Sequence, residues 1–321
     1  MDYLVDYKKA KQKAFLRKLW INIGGWMVML PGLVLFGLFV WYPLANNIVF
    51  SFFKSNSFAT MDEFVGFNNF IALFKDPRFV VALKNTFVYL GWSLLIGFIA
   101  PIFIGLLLSE VVHAKSLFRV LIYFPAILSG MAVVIMWTYL FDPFEGSVLN
   151  TILGLFNISP SIFVQSKDLA IPLIVVTMTW RGAGSTALIY LSAIQNIDQT
   201  QYEAARLDGA GMFRRIWHIT LPNIAPTLST LFVLQCISVM QVFYEPLVMT
   251  KGGGPNNASL SLLLLGFQLR FTDGTPNPGM AAATCVVLFV IILALTLLYF
   301  FVEKLFKDGF SRGRKSYGDN K

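Results

Sequence analysis

Long apolar runs alternate with short polar, charged stretches along this chain, and the runs are too long for the strands or helices of an ordinary soluble core. About 20 apolar residues are needed to cross the hydrocarbon core of a bilayer. Six stretches reach that length, at 26–50, 86–108, 117–141, 169–194, 224–249 and 280–302. The pattern therefore predicts an all-α, polytopic membrane protein with six transmembrane helices. Prolines inside the runs (Pro31, Pro101, Pro125, Pro172, Pro226) fit that reading, because neighbouring helices or water satisfy the carbonyls they free. The first run is too long for a cleaved signal peptide, and Pro31, Tyr42 and Pro43 make no small-residue cleavage site. The connecting segments 51–83, 142–168 and 250–279 have room for short helices but not for a separate domain.

Composition supports the bilayer. The chain is 56% hydrophobic and only 13% charged, where a soluble domain is about a quarter charged. The formal net charge of +8 acts as an orientation signal, since the basic residues flank apolar runs instead of forming a nucleic-acid patch. Of 25 Lys and Arg, 17 fall on one side: the N-terminal run from Lys8 to Lys18, Lys115, Arg119, Arg206, Arg214, Arg215 and the tail from Lys304 to Lys321. By the positive-inside rule, both termini and the segment 195–222 are expected in the cytoplasm. The organisation is then a basic N-terminal segment (1–25), a permease-type membrane domain (26–302) and a cytoplasmic tail (303–321). Cys236 and Cys285 lie within apolar runs, and His113 and His218 are far apart. No metal, disulfide or catalytic constellation is expected, and the chain reads as non-enzymatic.

One stretch interrupts this pattern. "EAARLDGAGMFRRIWHITLP" (203–222) carries charges of both signs between two spans. Residues 201–207 are helix formers, Gly209 and Gly211 break the helix, and 212–218 can form a second short one. Ala204, Ala205, Leu207, Met212 and Phe213 interleave with Glu203, Asp208 and the arginines. That is the make-up of a helix that docks in a groove or, alternatively, lies on the membrane surface.

The spacing of this stretch resembles a known motif. Glu203-Ala204-Ala205, Gly209 after three residues, then Ile219-x-Leu221-Pro222 after nine more is similar to the EAA motif of ABC importer membrane subunits. "LSAIQNI" leading in, "ITLPNI" leading out and "TKGGGPNNAS" (250–259) after the next span resemble the sugar-permease branch, the maltose and glycerol-phosphate type. This resemblance implies a type I ABC importer permease fold with 201–222 as the coupling segment, seated in a cleft of a cytoplasmic ATP-binding subunit. Glu203 would meet basic groups there and Gly209 would allow the turn. It also implies two ATP-binding subunits, a second homologous permease as the heterodimer partner, and an extracellular or periplasmic solute-binding protein. Location would be the bacterial cell membrane. ATP and Mg would sit on the partner ATPases, because no Gly-Lys dipeptide, and hence no Walker A sequence, occurs here.

Candidate pathway residues follow from charge and from the resemblance. Arg181 lies in the fourth span and Glu245 toward the end of the fifth, where ionisable groups are functional suspects. The resemblance adds Gly182 and Ser185 beside Arg181, and Gln235, Ser238, Val239, Gln241 and Tyr244 after the Leu-Pro. Gln and Ser suit sugar hydroxyls, and Tyr190, Phe243 or Tyr244 could stack on sugar rings. Gln235 and Ser238 are equally suited to interhelical bonding. A fixed guanidinium at Arg181 suits a carboxylate or phosphate and brings an acidic saccharide into view. The expected function is ATP-driven import of a sugar or oligosaccharide. The alternatives are a permease for another small solute (glycerol phosphate, polyamine, amino acid) and an ion-driven carrier.

Overall fold

In the computed structural model, which describes residues 22–55, 60–110 and 114–318, every long apolar run becomes helix. The chain opens with α1 (Asn22–Phe50), 29 residues whose most apolar stretch buries nothing within the chain. The expected cytoplasmic basic run before it, Lys8 to Lys18, lies outside the described residues. A two-stranded antiparallel hairpin follows, β1 (Phe53–Lys54) and β2 (Glu63–Phe64), then a short helix α2 (Asn68–Lys75). Next comes α3 (Pro77–Glu110), capped by Asp76, whose carboxylate accepts from the Arg78 backbone N–H, with Pro77 at the first helical position.

The third predicted span is not one straight helix. It is a pair, α4 (Lys115–Ile127) and α5 (Gly130–Leu140), bent by 92°. Pro125 weakens the last turn of α4, and Leu128 and Ser129 are extended, so the ladder stops there. A short helix α6 (Val148–Leu155) then leads to α7 (Ala170–Gln195), the central element. Its buried residues recur every three or four positions (Ile171, Ile174, Ala183, Ala187, Tyr190, Ile194). Gly184 is required here, because a Cβ would collide with the Ile122 carbonyl of α4; small residues allow this close approach.

Beyond α7 lie α8 (Gln199–Leu207) and α9 (Met212–Arg215). A widened π-helical turn (Ile216–Thr220) carries α9 into α10 (Leu221–Met240). The fifth span also breaks: Gln241 to Phe243 leave the helical region before α11 (Tyr244–Met249) resumes. The Val242 carbonyl at this break accepts from the Ser261 hydroxyl at 2.7 Å, as a buried freed backbone group requires. The loop 250–261 leads to α12 (Leu262–Phe271), and α13 (Pro278–Gly318) runs 41 residues, so the helix continues into the expected tail as far as Gly318.

Among the described residues, four helices are long and apolar enough to cross a membrane, and the bent α4–α5 pair, taken as one span, makes a fifth. At 26 residues and about 1.5 Å per residue, α7 has the length of a sixth. Its polar face, described next, lowers its hydropathy.

Candidate functional site: an internal cavity and an exposed helical segment

The two broken spans, the centre of α7 and a widened π-helical turn in α3 (Ser93–Phe98) enclose a cavity of about 570 Å³. Helical breaks and π turns expose backbone and re-aim side chains, and they concentrate at functional sites. The lining is mixed: Ser93 and Gly97 from α3, Thr179, Arg181, Gly182, Ser185 and Thr186 from α7, and Gln235, Ser238, Gln241, Tyr244 and Glu245 from α10 and α11.

Arg181 sits at the meeting point of the breaks. Its Nη1 donates to the Tyr244 hydroxyl at 2.7 Å, while its Nε is buried with no hydrogen-bond partner among the described residues. Gly130, the first residue of α5, packs against this pair: a Cβ there would lie 3.0 Å from both Arg181 Cζ and the Tyr244 oxygen. The 92° bend therefore places a residue without a side chain where the guanidinium needs room. Glu245 is buried beside Tyr244, yet no ion pair joins it to Arg181 among the described residues. Gln235 donates to the Ser93 hydroxyl, so it is interhelical glue and cavity lining at once.

Sequence candidates divide on placement. Arg181, Gly182, Ser185, Gln235, Ser238, Gln241, Tyr244 and Glu245 share the cavity wall, as does Phe243. Val239 does not. It lies one turn from Gln235 on the same face of α10, but is buried in the cluster with Tyr89, Val134 and Ile174 instead of lining the cavity. Tyr190 is also elsewhere, fully enclosed with Ile194, Ile197 and Ile224 near the end of α7. Sequence reasoning missed Ser93, Gly97, Thr179 and Thr186. The signal was present as hydroxyl residues and glycines at helical spacing (179, 182, 186 and 93, 97) within apolar runs.

At the end of the bundle beyond α7, α8 is initiated by Asp198, whose carboxylate accepts from the Thr200 N–H at 3.0 Å. That backbone donor, helped by the Thr200 hydroxyl, holds the Asp198 carboxyl below the usual carboxylate range. The helix ends in a Schellman arrangement: the Ala210 N–H reaches the Ala205 carbonyl at 2.8 Å and the Gly209 N–H reaches that of Arg206 at 3.0 Å. This turn requires φ of +74° at Gly209, which glycine adopts without penalty. The Tyr202 hydroxyl bonds the Thr220 hydroxyl at 2.9 Å, and Asn223 donates to Gln201, tying α8 to the base of α10.

The outward face of this hairpin has no cover among the described residues. No residue of α8 is buried, and Leu207 is 91% exposed and Phe213 85%. Glu203, Ala204, Asp208 and Met212 are exposed with them, and Ala205 is half-buried.

A membrane bundle with a polar internal cavity and a rigid helical hairpin projecting from one end has the build of a transporter's membrane subunit. Residues 93–308 match the family described as binding-protein-dependent transport system inner membrane component, and the chain belongs to it, as an ABC importer permease. The chain is 36% identical over 245 residues to the polygalacturonan/rhamnogalacturonan transport system permease protein YteP of Bacillus subtilis (strain 168), covering 75% of this chain and 76% of the relative. It is 30% identical over 290 residues to the lactose transport system permease protein LacF of Rhizobium radiobacter, covering 89% and 96%. Among solved structures, a bacterial ABC transporter involved in the import of the acidic polysaccharide alginate superposes with a TM-score of 0.77 at 25% identity, covering 89% of this chain and 98% of that one.

Proposed function

We propose that this permease imports an acidic oligosaccharide across a bacterial inner membrane, with α8–α9 as the mechanical link to a separate ATP-hydrolysing subunit. The exposed hairpin carries the coupling half of this reading. Leu207 and Phe213 project from a turn stiffened by its own hydrogen bonds, and a lever must be rigid to pass on motion. In this assembly the chain binds no nucleotide and catalyses nothing. ATP and Mg sit on two ATPase subunits, a second, related permease completes the pathway, and a solute-binding protein delivers cargo at the opposite end. Glu203, Ala204, Ala205, Leu207, Asp208, Gly209, Met212 and Phe213 form the docking surface. The permease domain spans 26–302, with both termini and the hairpin on the cytoplasmic side, as the Lys/Arg distribution favours.

Arg181 carries the substrate half. Its guanidinium lies in the cavity with a neutral hydroxyl as its hydrogen-bonding partner and a buried N–H to spare. A carboxylate on a sugar ring satisfies that N–H and the charge together, and a neutral saccharide satisfies only the hydrogen bond. Relatives that transport polygalacturonan and alginate lend support. LacF, a lactose permease, shows that the family also serves neutral sugars.

Two measurements on the reconstituted complex test the halves separately. Gly209→Val places a β-branched residue in left-handed backbone at a cost of roughly 1–2 kcal/mol, so substrate-stimulated ATP hydrolysis should fall about tenfold. Unchanged stimulation removes the lever. Arg181→Leu should abolish uptake of a galacturonate oligomer while sparing a neutral oligosaccharide of the same length, and equal losses for both defeat the acidic reading.

A further inference from the structure

A second pocket, of about 140 Å³, lies behind α8, between that helix, the last turn of α3, the end of α7 and the π turn. Its charged lining residues are Glu110, Arg206 and Arg215. None of the three makes an ion pair among the described residues, and the Arg215 Nε is buried without a hydrogen-bond partner. Gln195, Tyr202 and Thr220 add polar edges, and the Tyr202–Thr220 hydrogen bond braces one wall. Two guanidiniums therefore share with one carboxylate a recess of about 140 Å³, large enough for a tetrahedral oxyanion.

Arg215 is half-buried and Arg206 exposed at the rim; a half-buried, unpaired guanidinium such as Arg215 is costly unless a counter-charge arrives, and its planar fork matches phosphate oxygens two at a time. A phosphate held here would touch Arg206 of α8 and Arg215 of α9 together, while Glu110 of α3 and Gln195 of α7 line the wall on the side of the spans. We infer that this recess is a binding site for a phosphate group, supplied by a small phosphorylated solute or by an anionic lipid headgroup, and that its occupancy stiffens the base of the hairpin. The site is separate from the large cavity and shares no lining residue with it.

The test uses the full chain in nanodiscs of phosphatidylcholine, with hydrogen exchange read on the amides of 199–220. Inorganic phosphate is titrated at constant ionic strength against chloride. Protection should rise and saturate with phosphate and not with chloride. Arg215→Gln should raise the half-saturating concentration by about tenfold or more, the usual cost of losing a hydrogen bond to a charged group. Glu110→Gln should lower it by removing the opposing charge. Unchanged exchange across 170–195 certifies that a variant is folded, and the titration of the unaltered chain stands without any variant. Nanodiscs containing phosphatidylglycerol separate the sources: protection without added phosphate identifies a lipid headgroup, and protection only with added phosphate identifies a free solute. Absence of protection in both, equal protection in chloride, or a titration indifferent to Arg215→Gln overturns the site.

Discussion

The two ends of the bundle solve the same problem, a loop outside the spans, in opposite ways. The loop 250–261 is tied down by its own chain. Asn85 donates to the carbonyls of Asn257 and Leu260 at 2.8 and 3.0 Å, the Tyr89 hydroxyl to that of Ser259 at 3.0 Å, and Gln268 to that of Gly252 at 2.7 Å. Three successive glycines at positive φ make the turn, and Leu260, Leu262, Leu264 and Leu265 are fully enclosed. The hairpin 199–217 is also hydrogen-bonded through its turn, yet none of its large apolar side chains is fully buried, and Leu207, Met212, Phe213 and Trp217 are exposed. A segment that satisfies its backbone and leaves its side chains uncovered is shaped for a partner. One that satisfies both is finished.

The contrast can be broken most severely at the finished end. Leu262→Ala removes a fully enclosed side chain from the cluster shared by α2, α3, α12 and α13, and it should destabilise the isolated chain by about 2–5 kcal/mol. Thermal unfolding of the detergent-purified permease reads this directly. A shift no larger than that of an exposed-site control would mean the end is looser than its packing indicates.

The hairpin should behave in the reverse way. Leu207→Ala with Phe213→Ala should leave the unfolding midpoint of the isolated chain almost unmoved, because neither side chain is covered. The same pair should weaken co-purification with the ATPase, each residue contributing about 1.5–3 kcal/mol if fully buried in the complex. Loss of stability in the isolated chain without loss of assembly would invert the comparison.

How visible these features were in the sequence follows from the range of the interactions that make them. The apolar runs, the hairpin and its Gly209 turn rest on local spacing, so residues 201–222 could be read from sequence down to the turn glycine. Arg181 and Glu245 stood out as charges within spans. The bend at Leu128–Ser129 did not, since Pro125 alone does not tell a kink from a break, and the packing of Gly130 against Arg181 and Tyr244 completes it. Val239 shares a helix face with Gln235, and what separates it from the lining is its place in the cluster with Tyr89, Val134 and Ile174, long-range contacts that spacing along α10 does not show. Ser93 and Thr179 were passed over because hydroxyls in an apolar run usually bond their own helix.

The finest test concerns the outermost fastening at the finished end. Asp76 caps α3 and pairs with Arg78 at 2.8 Å, and Arg78 reaches on to Asp273 beyond α12 at 3.0 Å. Burial raises the Asp76 carboxyl, but the side-chain and backbone hydrogen bonds from Arg78 and its charge outweigh this and hold it below the usual carboxylate range. A depressed carboxyl contributes stability above its unfolded value of about 3.9 and loses that contribution as pH falls through its lower folded value. Asp76→Asn should therefore cost about 1 kcal/mol or less at neutral pH, where the pair is intact and partly solvated. The difference from the unaltered chain should shrink as pH drops below about 4, because the native carboxyl protonates too. A difference that stays constant into acid would assign the fastening to shape alone and remove charge from the contrast between the two ends.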